Sequence, residues 1–394
     1  MIPVGDDVSL ALRGFHPRSR RARHSSASIP LPFSPIPGSW HVPQMRTPPV
    51  WGSVSAMRVL IVGCGYVGAA LGAALVQSGH QVFGLRRRPE ADAALTQMGL
   101  VPCHADFTRE EELRRLPGPF DWVVNTAAPS EGDAAGYRRV YLEGTATLLR
   151  WLKDRPPQRY VYTSSTGVYG QNDGSVVTEE SPTEPESETA RVLVETERLL
   201  LAAAGERTPS NPVPGLDTQN PCFPLSPALS PRVVEGEGED QAGTGKLTAD
   251  FPAVILRVAG IYGPDRGYWF KQFRSGEARI AGTGKRILNM VHRDDVVGAI
   301  QAALERGRPG LVCNVVDDEP VRQVDFFRGL AELTGLPMPP AAPEGGSADP
   351  QRASLQKRVS NQRLKSELGY QLRYPTFREG GAAFFCKQNL RRGR

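Results

Sequence analysis

The stretch that most constrains the fold spans residues 58–72. Arg58-Val-Leu-Ile-Val62 is a β-branched apolar run that ends in Gly63-Cys64-Gly65-Tyr66-Val67-Gly68, and this opens the apolar segment Ala69-Ala-Leu-Gly72. A strand, a glycine turn and a helix in that order begin a dinucleotide-binding βαβ unit. Gly63 permits the tight turn, Gly65 lets backbone approach a diphosphate without a Cβ in the way, and Gly68 allows close helix–strand packing. The anion rests at the helix N-terminus, where N–H groups without helical acceptors and the positive dipole end favour negative charge. Cys64, Tyr66 and Val67 fall in the same cradle. Residues 59–76 carry no charge, which approaches the length of a membrane span. Their four glycines and a second strand pattern at Gln81-Val-Phe-Gly-Leu85 favour the βαβ reading.

Cofactor choice follows from the end of that second strand. Sites for NAD usually place Asp or Glu there, to bind the ribose 2′-hydroxyl. This chain offers Arg86 and Arg87. A guanidinium suits a 2′-phosphate through paired hydrogen bonds, so NADP is expected, with NAD as the alternative. The plain competitor is a solvated basic loop.

The chain is not uniform along its 394 residues. The first 56 carry nine prolines, six arginines and only two aspartates, with no sustained periodicity, so they read as a disordered extension that holds most of the net charge of +5. Met57 directly precedes the first strand. A start assigned too far upstream is the leading explanation, and an organelle transit peptide the second, weakened by Asp6 and Asp7. A second irregular block, 205–250, holds seven prolines and six glycines and reads as a disordered insertion. Everything after residue 56 carries a net of only +1, so a broad basic face for nucleic acid is not expected. Five scattered cysteines without a Cys-x-x-Cys pair suggest a reduced cytoplasmic protein with no structural metal.

Between the irregular blocks, helix and strand patterns alternate. Helices are expected near 66–79, 90–98, 108–116, 133–154 and 189–204, and strands near 81–85, 121–126, 159–164 and 253–258. Alternation of this kind predicts an α/β fold, a Rossmann-type doubly wound parallel sheet with a smaller C-terminal substrate lobe. The expected division is 57–257 for the NAD(P)-binding domain, with its insertion, and 258–394 mainly for the lobe. Ligands of such sheets sit beyond the carboxyl ends of the strands. Asp106 therefore either receives the adenine amino group or leads into a cap at Thr108. Thr126, Ala127 and Ala128 are small enough for backbone to lie against a cofactor.

Five motifs in order amount to a family resemblance: the glycine turn, Asn125-Thr-Ala-Ala128, Thr163-Ser-Ser-Thr-Gly-Val-Tyr-Gly170, Leu256-Arg-Val-Ala-Gly-Ile-Tyr-Gly-Pro264 and Val291-His-Arg-Asp-Asp-Val296. The chain resembles the atypical extended short-chain dehydrogenase/reductases, within the NAD(P)-dependent epimerase/dehydratase family, from residue 57 to about 380. The resemblance implies that Ser165, four positions before the Tyr of Val-Tyr-Gly, bonds the reacting oxygen of the substrate; its ordinary alternative is a strand-end serine satisfying backbone. It also implies that His292 and Asp295 help pack the second lobe on the first.

Two departures accompany it. Val62 replaces the first glycine of the family's turn. More seriously, the family's Tyr-x-x-x-Lys pair, in which lysine lowers the tyrosine pKa and tyrosine moves the proton, is missing from residues 187–197. Those slots hold Ser187 with Arg191, or Thr189 with Leu193. Arg191 stays protonated and is no base. Tyr141, at the place of the family's helix Asn, is with Tyr169 and Tyr262 a candidate substitute, and each also suits a packed aromatic. The resulting expectation is an NAD(P)-binding oxidoreductase or epimerase-like enzyme with Ser165, Tyr169 and Arg191 as candidate catalytic residues. Its partner is a sugar-like or carbonyl/hydroxyl small molecule, without nucleic acid or membrane; a homodimer is compatible with the sequence. The alternative is an NADP-binding sensor or structural protein without turnover.

Overall fold

The computed structural model describes residues 55–130, 132–205, 251–343 and 356–392. Apart from residues 55, 56 and 205, the expected extension and insertion lie outside the described residues.

Seven parallel strands form the main sheet. In chain order the strands are β1 (Arg58–Val62), β2 (Gln81–Arg86), β3 (Val101–His104), β4 (Trp122–Asn125), β5 (Arg159–Ser165), β6 (Val176–Val177), β7 (Ala253–Val258), β8 (Gly260–Tyr262), β9 (Ile287–Leu288), β10 (Met290–His292), β11 (Val312–Val315), β12 (Val321–Arg322) and β13 (Arg358–Val359). The sheet runs β11-β7-β5-β4-β1-β2-β3. Its central strands are apolar throughout because both faces are covered: Val59 to Val62 and Val123 to Val124 are wholly buried. The chain leaves β1 toward β2 and β3, then returns to build β4 and β5 on the other side. That reversal opens a crevice above the carboxyl ends of β1 and β4.

The helices flanking the sheet are α1 (Tyr66–Gln77), α2 (Asp92–Gln97), α3 (Glu110–Leu113), α4 (Ala134–Tyr137), α5 (Gly144–Leu152) and α6 (Glu188–Ala203). The single helix expected over 133–154 is interrupted by a π-helical turn, Arg138–Glu143, that carries Tyr141. Insertions of this kind often mark functional sites. After β8 come α7 (Tyr268–Ser275), α8 (Arg293–Arg306), α9 (Gln323–Thr334) and the helices Gln362–Glu367 and Phe377–Arg392. Several of these later elements share a separate aromatic core in which Phe270, Phe326, Phe327 and Phe377 are essentially unexposed.

The two parts are joined by short parallel pairing of β8 with β10, in register Ile261 to Val291 and Tyr262 to His292. Asp295 completes the junction. Its carboxylate accepts the Tyr370 hydroxyl at 2.8 Å and the Arg373 and Tyr374 N–H groups at 2.6 and 3.0 Å. Burial raises the pKa of this carboxyl, and the three hydrogen bonds act against that rise.

Within the sheet, β5, β7 and α6 meet around a buried polar network. Glu197 accepts the Ser164 hydroxyl at 2.5 Å and is gripped by the Arg257 guanidinium, with Nη2 at 2.8 Å. Arg257 Nη1 also donates to the Tyr169 hydroxyl at 2.8 Å, which donates in turn to Asn314 Oδ1 at 2.8 Å. Both charged side chains are almost completely buried, at 6% and 3% exposure. Removing one partner leaves an uncompensated interior charge, so Glu197→Ala should cost about 3–5 kcal/mol in urea unfolding. The double substitution Glu197→Met with Arg257→Met should cost less than that, and equal losses in the two variants would contradict the assignment.

Candidate functional site

The glycine turn is shaped by three different demands. Gly63 has φ +80°, and a Cβ there would stand 2.4 Å from the Ala127 Cα, so conformation and packing both require glycine. At Gly68 a Cβ would meet the Gly63 carbonyl at 2.8 Å and the Thr126 hydroxyl at 2.9 Å. Gly65 is different. Its φ is −101°, and a Cβ there would find only the Gly63 oxygen, at an ordinary 3.8 Å. Among the described residues no other atom needs the space beside Gly65, which is what a cradle for a closely approaching ligand requires. No side chain caps α1, and its first turn holds no acid. The amides of that turn therefore face the crevice as donors for an anion. These residues fit a dinucleotide diphosphate.

The turn is anchored from below and beside. Gly63 and Cys64 both donate N–H to the Leu85 carbonyl, and Thr126 N–H reaches the Val62 carbonyl at 2.9 Å. Thr126 Oγ1 donates to the Gly63 carbonyl at 3.0 Å. The Cys64 thiol is wholly buried and pushed by that burial up to about 11, so Cys64 offers the cradle only its backbone. The Val67 side chain is partly buried against the core.

The two expected phosphate-binding arginines do different things. Arg86 Nη1 donates to the Cys64 carbonyl at 3.2 Å, bracing the glycine turn. Arg87 is exposed and lies close enough to Asp106 to help hold that carboxyl below its ordinary range. Burial alone would raise Asp106; two Thr108 hydrogen bonds, with Arg87 and Arg109, outweigh it. Asp106 Oδ1 is occupied by the Thr108 N–H and hydroxyl at 3.1 and 2.8 Å. The expected cap at Thr108 is not formed: the N-cap of α3 is Arg109, without a side-chain bond, and Thr108 instead donates to Asp106.

Ser165 ends β5 and is half-buried, and its hydroxyl accepts the Gly167 N–H at 3.0 Å. It stands at the carboxyl edge of the sheet, paired in register with Val258. The other two expected catalytic residues are not brought to it. Tyr169 is 1% exposed and its hydroxyl is occupied on both sides by Arg257 and Asn314, so it belongs to the buried network and cannot serve as an open proton carrier. Arg191 is an exposed residue whose Nε donates to the Pro185 carbonyl at 3.3 Å. Its supposed partner Ser187 lies outside the helix as the N-cap of α6, accepting the Ala190 N–H. Of the two registers, only Thr189 with Leu193 lies inside α6, and Leu193 is buried in the core.

Of the substitute tyrosines, Tyr262 is 2% exposed in the second core. Tyr141 is half-buried, its ring 5.2 Å from Tyr137 and 6.4 Å from Tyr162 on β5, and burial raises its pKa. Sequence reasoning missed two features. Lys357 is buried, donates from Nζ to the Tyr169 carbonyl, and is pushed by burial down to about 8. Arg266 and Arg293 each lie over the Tyr66 ring with their guanidinium carbons 5.2 Å from its centroid. No local spacing joins residues so far apart. The signal was only that one arginine follows the Gly-Pro motif by two residues and another stands within the His-Arg-Asp-Asp motif.

Among the described residues, no group of three or more His, Cys, Asp or Glu side chains is placed to hold a metal, and no helix is long and apolar enough to cross a membrane.

Several known proteins resemble this chain in sequence or fold. Residues 59–208 match the NAD dependent epimerase/dehydratase family. The chain is 26% identical over 331 residues to Protein YeeZ of Escherichia coli strain K12, covering 81% of this chain and 96% of that one. It is 27% identical over 346 residues to the 3-diazoavenalumate denitrifying reductase of a Streptomyces species, covering 82% and 99%. The fold matches that of the UDP-glucuronic acid 4-epimerase from Bacillus cereus in complex with NAD, with TM-score 0.60, 20% identity, and 84% and 99% of the two chains covered.

The glycines separate stability from binding. Gly63→Ala should lower the melting temperature markedly, because strain and the Ala127 clash both appear in the folded protein. Gly65→Ala should leave melting nearly unchanged while weakening dinucleotide binding by at least about ten-fold, a change of 1.4 kcal/mol. Calorimetric titration and thermal melting of both variants check this; normal binding by Gly65→Ala removes the cradle.

Proposed function

We propose that the chain, whose residues 59–208 match the NAD dependent epimerase/dehydratase family, is a member of it and an NADP-dependent oxidoreductase or epimerase-like enzyme for a sugar-like or carbonyl/hydroxyl small molecule bound above Ser165. The observation that carries the reading is the space beside Gly65 at an uncapped helix N-terminus. When bound, the nicotinamide supplies or accepts a hydride.

The chain's own residues would divide the remaining work. The glycine turn binds the diphosphate; Thr126, Ala127 and Ala128 form the wall beside it. Arg87 binds the 2′-phosphate, because Arg86 is already committed to the Cys64 carbonyl. Ser165 orients the reacting oxygen: its hydroxyl accepts one hydrogen bond and retains a proton to donate. Proton movement cannot use the family's helix pair, since Thr189 and Leu193 occupy that register. Tyr141 is the half-exposed phenol that remains for this role after Tyr169 and Tyr262 are assigned to packing.

The buried Leu193 supports a second reading, a protein that binds NADP without turnover. Lysine at that register would lower a tyrosine pKa, and leucine cannot. Steady-state oxidation or reduction of the cofactor across a panel of sugars, aldehydes and ketones separates the two. Under the enzyme reading, Ser165→Ala loses about 10²-fold in kcat/KM with unchanged cofactor affinity, as expected for loss of a group acting at the reacting atom. Saturable NADP binding without turnover of any compound favours the binding protein.

The arginines give an independent check of cofactor choice. Arg87→Ala should weaken NADP about ten-fold or more and leave NAD unchanged, since one charge-assisted hydrogen-bond pair is lost. Arg86→Ala should weaken both, because it loosens the turn that both dinucleotides share. Titration calorimetry with each nucleotide measures the difference, and equal loss of NAD and NADP in Arg87→Ala would overturn the NADP assignment.

A further inference from the structure

The Tyr66 side chain does something its place in the glycine turn does not require. Its backbone opens α1, but its ring reaches across the crevice to the second part of the molecule, where the hydroxyl donates to the Pro264 carbonyl at 3.0 Å. Two cations lie on that ring. Arg266 follows β8 and Arg293 follows β10, and parallel pairing of those strands brings the two arginines to the same edge. Each guanidinium carbon is 5.2 Å from the Tyr66 centroid, within cation–π range.

The arginines are not equivalent. Arg293 is bound to Asp294, with Nε and Nη2 at 2.9 and 2.8 Å from one carboxylate oxygen. Arg266 is exposed, and among the described residues no carboxylate lies within ion-pair distance of it. Its backbone is nonetheless fixed. The turn Gly263-Pro264-Asp265-Arg266 is closed by reciprocal N–H to carbonyl bonds of 2.9 and 3.0 Å between its ends. Within it, Asp265 takes φ +61°, the one left-handed conformation outside glycine among the described residues. Gly263 is packed equally closely: a Cβ there would stand 3.0 Å from the Tyr66 hydroxyl and 3.2 Å from the Arg293 Cβ. A rigid turn thus holds an unpaired guanidinium against the aromatic ring of the very residue whose N–H opens the anion-binding helix.

We infer that Arg266, with Arg293 behind it, forms a cationic clamp that closes over the cofactor diphosphate from the C-terminal lobe, on the side opposite the α1 amides. The ligand class is a nucleoside diphosphate joined to ribose. Five N–H donors in a planar fork suit two adjacent phosphate oxygens, and the Tyr66 ring keeps the fork from collapsing onto solvent. Clamping from this side links the two parts of the molecule through the cofactor. It is chemically distinct from the 2′-phosphate contact at Arg87, because NAD, NADP and ADP-ribose all carry the diphosphate. The inference rests on the cofactor reading proposed above.

The test compares wild type, Arg266→Ala and Arg266→Lys by titration calorimetry with NAD, NADP and ADP-ribose, with thermal melting as the folding control. Arg266→Ala should raise all three dissociation constants about ten-fold with little change in their ratios. Arg266→Lys should recover part of the loss, since charge returns without the fork. The wild-type advantage should shrink as salt rises. Unchanged dissociation constants in Arg266→Ala overturn the clamp while leaving the cofactor reading intact. A raised KM for substrate with unchanged cofactor affinity also overturns it, and transfers the arginine to a substrate anion. If wild type binds none of the three nucleotides, the cofactor reading itself fails and the clamp falls with it.

Discussion

Everything at the site depends on how closely two backbone segments approach at the top of the central sheet. Gly63 lies so near Ala127 that no side chain fits between them. Thr126 then binds the carbonyls of Val62 and Gly63 from its amide and hydroxyl. The end of β4 therefore sets the curvature of the turn after β1. An anion site made from backbone amides has no side chains to adjust, so its precision must come from such packing. This explains why small residues at 126–128 matter even where they touch no ligand.

A second constraint fixes the register of α6. Glu197 is held by Ser164 on β5 and Arg257 on β7. With that residue pinned, Leu193 one turn earlier and Thr189 two turns earlier follow along the same side of the helix. The family's proton-transfer pair is therefore absent by composition and not hidden by a shifted helix. The same network consumes Tyr169, whose hydroxyl serves as the bridge between Arg257 and Asn314. Tyr169, four residues after Ser165, thus performs a structural task.

The sequence made the sheet legible because its central strands are continuous β-branched runs and its glycine turn has a distinctive spacing. Strand positions at 81–85, 121–126, 159–164 and 253–258 agree with β2, β4, β5 and β7 to within a residue or two. Less legible was the interruption of the 133–154 helix. Its π-helical turn comes from hydrogen-bond slippage that side-chain periodicity does not record. The site divided similarly. Glycine geometry was readable because it follows from a missing Cβ, whereas the partners of three other candidates were not: the Cys64 carbonyl for Arg86, Arg257 and Asn314 for Tyr169, and the Pro185 carbonyl for Arg191. Type and spacing show that a guanidinium is near a turn; only the fold shows which acceptor it satisfies.

Charge at the cradle is consequently a local matter. The +4 of the first 56 residues is offset by residues 205–250, where seven acids face three cations, so the net +5 belongs to the rest of the chain; spread over so many residues it makes only a weak field at the crevice. On the proposed reading, attraction would come from the α1 amides, Arg87 at the β2 edge and the arginines over Tyr66. Short-range donors of this sort act within a Debye length and discriminate by geometry more than by encounter rate. On the proposed reading, selectivity among dinucleotides would rest with Arg87 at the β2 edge and common affinity with the helix and the opposing lobe, while the sheet edge at Ser165 would meet the substrate.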